Sequence, residues 1–164
     1  MQVPEHFTNL AQAFEARAAA FGARTFLKQK RNKVWCDFSW SEISEAAGKL
    51  RAGFIRMGVK PGDRIAILSD NSPQWVIVDQ AALGLGAVVV PLYTTSGSDE
   101  HRHVINDSGA RIIAANGDDM VKKVRGLDSS VPDLQTIIAI HPDATAQDSP
   151  NGKRNVLTLE GASA

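Results

Sequence analysis

The sequence predicts an α/β fold: a mostly parallel sheet flanked by helices, with a small hairpin near the N-terminus. Two observations predict it. From Arg64 onward, short runs rich in Ile, Val and Ala alternate with segments of helical apolar spacing, the pattern of a parallel sheet with right-handed crossovers. Ahead of Arg64, two helical stripes bracket a pair of aromatic and β-branched runs. A chain of 164 residues is enough for one domain that buries roughly 70% of its unfolded surface.

The elements follow in order. Phe7, Leu10, Phe14, Ala18 and Phe21 recur at spacings of three and four, one apolar helical face, and Gly22 is placed to end it. Thr25 to Leu27 and Val34 to Phe38 flank a polar Lys-Gln-Lys-Arg-Asn-Lys segment and read as a hairpin turning near Asn32. No Asn-Gly or Gly-Gly pair fixes its turn type. Ser39-Trp40-Ser41-Glu42 matches a capping box, because the Ser39 hydroxyl can accept from the Glu42 amide while the Glu42 carboxylate reaches back. Ile43, Ala47, Leu50, Phe54 and Met57 continue as a stripe up to Gly58, where a left-handed cap is wanted. Lys60-Pro61-Gly62-Asp63 has Pro and Gly in the type II turn positions and leads into the strand Arg64 to Ser69.

Asn71 or Ser72 caps a helix with Pro73 near its first position, running to about Gly86. Ala87 to Leu92, with three valines, reads as a strand buried on both faces. A helix from about Ser98 to Asp107, a strand Arg111 to Ala115, a helix near Asp119 to Leu127 and a strand Gln135 to Ile140 complete the alternation. Residues 141–155 read as a polar loop. Val156 to Leu159 is placed as one more short strand before the chain stops at Ala164, so the whole of 1–164 is read as a single domain.

Composition narrows the function. Lys plus Arg number 18 and Asp plus Glu 18, a formal net charge of zero, which removes the usual electrostatic case for binding nucleic acid. The apolar part of the longest uncharged stretch, Ala81 to Leu92, is far shorter than the ~20 residues a membrane-spanning helix needs. Cys36 is the only cysteine, so no internal disulfide framework exists, and a reducing, cytoplasmic compartment is the expectation.

Each candidate for chemistry has a simpler explanation beside it. Gly84-Leu85-Gly86 invites a dinucleotide fingerprint, but here the glycines close a helix and precede a strand, the reverse of what that mechanism needs. Tyr93-Thr94-Thr95-Ser96-Gly97-Ser98 does follow a strand and open a helix. Asp99 and Glu100 in its first turn would repel a phosphate, so a capped loop is the better reading. Asp70 argues the same way for Ser69-Asp70-Asn71-Ser72-Pro73, where side-chain capping is explanation enough. His101 and His103 point to different faces of a helix and do not chelate one metal; Asp118-Asp119 reads as a solvated turn. No catalytic, cofactor-binding or metal-binding residue is assigned.

A longer stretch carries more information. Gly58-Val59-Lys60-Pro61-Gly62-Asp63-Arg64-Ile65-Ala66-Ile67-Leu68, then Asn71-Ser72-Pro73-Gln74-Trp75, resembles the N-terminal part of acyl-CoA synthetases of the adenylate-forming superfamily. The similarity runs on through Gly84 to Tyr93 and Ile105 to Arg111, and covers roughly residues 5 to 140. The wording Pro91-Leu92-Tyr93 leans toward the long-chain fatty acid branch. The resemblance implies an enzyme that makes an acyl-adenylate from a fatty acid and ATP, then transfers the acyl group to coenzyme A, with Mg²⁺ offsetting phosphate charge. The family's phosphate loop, nucleotide contacts and catalytic lysine have no counterpart in these 164 positions. The expectation is therefore an N-terminal subdomain inactive alone, whose remainder is missing. An exposed apolar patch and an open sheet edge would favour self-association, with Val156 to Leu159 as the segment exchanged between chains. A stand-alone α/β binding or interaction module on the same scaffold is the alternative, and a flavodoxin-like nucleotide binder is weakened by the acidic residues at both candidate anion turns.

Overall fold

The computed structural model describes residues 6–141 and 155–164. The elements run α1 (Leu10–Phe21), β1 (Thr25–Arg31), β2 (Val34–Ser39), α2 (Trp40–Arg56), β3 (Arg64–Leu68), α3 (Pro73–Leu83), β4 (Val88–Leu92), α4 (Ser98–Ser108), β5 (Ile112–Ala115), α5 (Asp118–Gly126), β6 (Thr136–Ala139), β7 (Asn155–Thr158) and α6 (Leu159–Ser163). β1 and β2 form an antiparallel hairpin, and the other strands form one parallel sheet in the order β4-β3-β5-β6-β7.

Alternation along the central strands sorts the core into two layers. Ile65, Ile67, Ile112, Ala114, Ile138 and Ile140 face one way, against Leu50 and Phe54 of α2 and Val78 and Ala82 of α3. Ala66, Leu68, Ile113, Ala115, Ile137 and Ala139 face the other, against Ile105 of α4 and Val121 and Val124 of α5. The strands β3, β5 and β6 are thus apolar on both faces, which a parallel sheet between two helical layers requires.

The local signals act as read. The Ser39 Oγ accepts from the Glu42 amide, while the Glu42 carboxylate accepts the Ser39 backbone N–H at 2.7 Å, and that bond holds its pKa below the ordinary Glu value. Ser72, rather than Asn71, caps α3, accepting from the Trp75 amide at 3.1 Å. The Asp63 amide donates to the Lys60 carbonyl at 3.0 Å across a turn whose Gly62 has φ +85°, the positive value type II demands.

Several expectations are corrected. The hairpin strands are longer than their apolar runs: Lys28 to Arg31 are strand, and the turn is Asn32-Lys33 with φ of 48° and 68°, the two left-handed residues of a type I′ turn. Phe7 precedes α1, and Leu10 is 71% exposed, because only Phe14 and Ala18 of that stripe reach the core. β4 is an edge strand instead of one buried on both faces; Val88 is 49% exposed, and Pro91, which cannot donate to a ladder, is tolerated at an edge. The chain does not end on the expected strand: a short helix, α6, follows β7. Thr158 caps α6 by accepting from the Gly161 amide at 3.0 Å, and α6 packs so closely on α2 that a Cβ on Gly53 would overlap the Ala162 carbonyl.

β7 pairs with β6 of the same chain. The large exposed apolar side chains, Leu10, Val34, Trp35, Ile55, Val88 and Tyr93, are scattered over four secondary-structure elements and one loop. Of the expected loop, residues 142–154 lie outside the described residues. No helix among the described residues is long and apolar enough to cross a membrane.

Burial holds the Asp79 carboxyl on α3 above the ordinary Asp value, opposed by a hydrogen bond from Gln80 Nε2 at 2.8 Å. Asp79 gives up its proton more readily in the unfolded chain, so its stabilising effect is complete below 3.8 and declines as pH rises through the folded value. Asp79→Asn is expected to raise the urea midpoint at neutral pH and to leave it unchanged near pH ~3, where both states carry the proton.

Candidate functional site at the carboxyl edge of the sheet

The strand order places a switch point between β3 and β5. The chain leaves β3 toward β4 through α3 on one face and returns to β5 through α4 on the other. The loops after β3 and β5 diverge there, and open α/β sheets bind ligands in such a crevice at the carboxyl ends of the strands. The gap here has a volume of about 570 Å³ and is lined by Asp70 after β3, Asn116 to Met120 and Lys122 after β5, and His141 after β6.

Side chains tie the surrounding loops together. Asp70 Oδ1 accepts from Thr94 Oγ1 at 2.8 Å, and the Thr94 carbonyl accepts from Lys123 Nζ of α5 at 3.0 Å. One residue of the β4–α4 loop thereby links the turn after β3 to α5. The same loop is fixed from below by His101, only 2% exposed, whose Nε2–H donates to the Tyr93 carbonyl at 2.8 Å. The Ser96 amide donates to that carbonyl too, at 3.2 Å.

These contacts decide between a ligand loop and a closed loop. The Ser96 amide, one of the groups that would cradle an anion, is already used inside the loop. Gly97 caps α4 without a side-chain bond, so the loop is held by His101 and its own turn. Asp99 and Glu100 occupy the first turn of α4, as Asp118 and Asp119 do in α5. All four complement the helix dipoles and oppose a second anion. Gly84 to Gly86 form the helix-to-strand turn expected, with the Gly86 carbonyl accepting from the Gly62 amide at 2.8 Å. His101 is buried and His103 exposed, so the pair does not chelate. Among the described residues no three His, Cys, Asp or Glu side chains are grouped to hold a metal ion.

With three carboxylates against one lysine in the crevice, and acids already complementing the helix ends, the residues present do not fit the phosphates of a nucleotide. Asp70, Asp118 and Asp119 line it opposite Lys122. No sequence signal marks the Asp70–Thr94–Lys123 link, which joins residues that only the strand order brings together.

A doubly wound parallel sheet with helices on both faces defines a three-layer α/β protein. Residues 14–160 match the family model described as AMP-binding enzyme, and the chain belongs to that family. Over 133 residues it is 39% identical to long-chain-fatty-acid–CoA ligase FadD15 of Mycobacterium bovis, covering 79% of this chain and 21% of the relative. It is 26% identical over 140 residues to long-chain-fatty-acid–CoA ligase ACSBG1 of Homo sapiens, covering 85% of this chain and 19% of the relative. The chain thus spans about a fifth of the length of these curated relatives. The fold is shared with coronafacic acid ligase from Pectobacterium brasiliense (TM-score 0.79, 21% identity, 93% of this chain and 28% of that one). It is shared also with the A-PCP didomain of the carboxylic acid reductase from Segniliparus rugosus, solved with AMP (TM-score 0.78, 17% identity, 98% and 27%).

Because the Tyr93 carbonyl keeps the Ser96 amide as a partner, His101→Leu is expected to cost about 0.5–1.5 kcal/mol, the net value of one hydrogen bond. Urea unfolding measures the loss, and amide exchange should quicken at Ser96. His101→Gln, which keeps a donor, should lose less.

Proposed function

We propose that this chain is the opening lobe of an ATP-dependent long-chain fatty acyl-CoA synthetase, and that it contributes scaffold rather than chemistry. The observation that carries this reading is the match of residues 14–160 to the AMP-binding enzyme family, with long-chain ligases among the relatives. In such an enzyme a fatty acid and ATP give an acyl-adenylate and pyrophosphate, and coenzyme A then takes the acyl group. The acid-lined edge described above supports assigning ATP, Mg²⁺ and coenzyme A to other parts of the enzyme, and the isolated chain is taken to be inactive. One observation favours the alternative of a stand-alone binding or interaction module: both faces of β3, β5 and β6 are already covered within this chain.

Two measurements separate the readings. The chain alone should show no fatty-acid-dependent ATP–pyrophosphate exchange. Replacing the corresponding segment of FadD15 with this chain should retain long-chain acyl-CoA formation within about tenfold, a change of ~1.4 kcal/mol in the barrier. A folded but inactive chimera would argue for the module, and exchange by the chain alone would reveal a site within it.

Self-association is a separate proposal, resting on the outer edge of β4, which has no partner strand among the described residues. Sedimentation velocity at high protein concentration should show a dimer or larger species; a clean monomer would overturn it.

A further inference from the structure

A second gap, of about 420 Å³, separates the hairpin from the carboxyl edge of the sheet. It is lined by residues 29–32 of the hairpin, Gln74 of α3, Asn116 after β5 and His141 after β6. Asn116 and His141 also line the crevice at the switch point, so the two gaps adjoin. Their charge differs in sign. The crevice carries Asp70, Asp118 and Asp119 against Lys122, whereas this gap carries Lys30 and Arg31 and, among the described residues, no carboxylate. Neither cation forms a salt bridge among the described residues. The nearest acid in the hairpin sequence, Asp37, is engaged by Lys28 at 3.2 Å.

The Arg31 guanidinium is oriented but incompletely satisfied. Its Nε donates to Gln29 Oε1 at 2.8 Å, and its central carbon lies 5.3 Å from the Phe38 ring centroid. Its Nη2 is buried and has no hydrogen-bond partner among the described residues. A buried donor left without a partner is costly. Arg31 lines the gap, so an oxyanion there would draw the guanidinium forward and supply the missing bond. Consecutive strand residues leave the ribbon on opposite faces, yet Lys30 lines the gap as well, so cations reach it from both faces of β1. Two cations without a counter-ion match a dianion, and a phosphate monoester is close to that charge at neutral pH. Around them, the side-chain amides of Asn32, Gln74 and Asn116 offer donors and acceptors together, which is what hydroxyl groups need.

We propose that the gap between the hairpin and the carboxyl edge binds a small soluble phosphate monoester with a hydroxylated body. Arg31 and Lys30 take the phosphate, and the amides of Gln74 and Asn116 take the hydroxyls. The site belongs to the hairpin and the sheet edge and does not depend on the ligase reading. Lys30 is exposed, so binding is weak and falls as salt rises.

The test is titration of the whole chain with glucose 6-phosphate, with glucose, gluconate and inorganic phosphate as comparisons, followed by amide NMR and calorimetry. Glucose 6-phosphate should bind saturably and shift the side-chain amide signals of Gln74 and Asn116. Inorganic phosphate should bind more weakly, and glucose and gluconate should bind about tenfold more weakly or not at all, because they lack the doubly charged group. Arg31→Gln should weaken binding about tenfold, and Arg31→Lys, which keeps the charge but loses the fork, should weaken it severalfold. Lys33→Gln removes a hairpin charge that does not line the gap and should leave the affinity within about twofold. Circular dichroism checks the fold of each variant, and the shifts in the native chain decide the matter if Arg31→Gln fails to fold. No saturable binding, shifts confined to the crevice around Lys122, equal affinity for gluconate, or an equal loss in Lys33→Gln and Arg31→Gln would each overturn the proposal.

Discussion

The burial of both faces of β3, β5 and β6 is the constraint from which the rest of this architecture follows. A strand that is apolar on both sides must have helices above and below it. The chain meets this with α1, α2, α3 and α6 on one side and α4 and α5 on the other. Helices on both faces leave only the strand ends open, so every connection is pushed to an edge of the sheet. The two edges then differ. At the amino edge, the Arg64 guanidinium donates to the carbonyls of Ser108 and Gly109, closing the end of α4 onto β3. At the carboxyl edge, the loops separate around the switch point and leave the crevice.

The electrostatics of the carboxyl edge disfavours a bound phosphate at the switch-point crevice. Helix N-termini at the carboxyl edge are good anion sites only when their positive ends are free. Here Asp99 and Glu100 on α4 and Asp118 and Asp119 on α5 have taken that role. Each stabilises its helix modestly, by about 0.3–1 kcal/mol, and together they place negative charge where a phosphate would need the opposite. The loops are further committed to one another through Thr94 and His101.

Much of this was legible in the sequence, and what was not has a common cause. Ser39 to Glu42, Gly58, Pro61-Gly62 and Ser72-Pro73 are local signals, because the groups that satisfy one another are within four residues. The alternation of strand and helix could be read for the same reason. Strand order could not, and it decides the rest: Ala87 to Leu92 has the composition of a central strand, yet β4 lies at the edge because α4 carries the chain back across β3. The run Lys28 to Arg31 looked like a turn because its polar residues outnumber the apolar ones. A two-stranded ribbon projecting from the core needs only one half-buried face, so lysines can alternate with Gln29 and Arg31. The short α6 was missed for want of length, although Thr158 carries its capping signal. The loop network at the carboxyl edge, built on Asp70, Thr94, His101 and Lys123, could only be seen once the strands were ordered.

The attachment of α1 shows how magnitudes rank the interactions. Two features hold this helix to the body. One is polar: Glu15 accepts from Arg51 at 2.7 Å and from Ser44 at 3.2 Å, next to Gly84, whose missing Cβ makes room for the guanidinium. The other is aromatic: Phe14, Phe21, Phe26 and Trp40 form a cluster in which Phe26 and Trp40 stack with centroids 3.7 Å apart. The ion pair has one carboxylate nearly half exposed, so solvent screens it, and such pairs contribute about 0–1 kcal/mol. Arg51 Nε and Gln80 Oε1 are buried without partners, which lowers the net value further. Aromatic pairs contribute about 0.5–1.5 kcal/mol each beyond the area they bury, and α1, β1 and α2 all supply rings to this cluster. The aromatic cluster therefore docks α1, and the Glu15–Arg51 pair sets its register on α2. This ordering also accounts for Leu10: the helix is held from Phe14 onward, and Leu10 stands on its solvent-facing side.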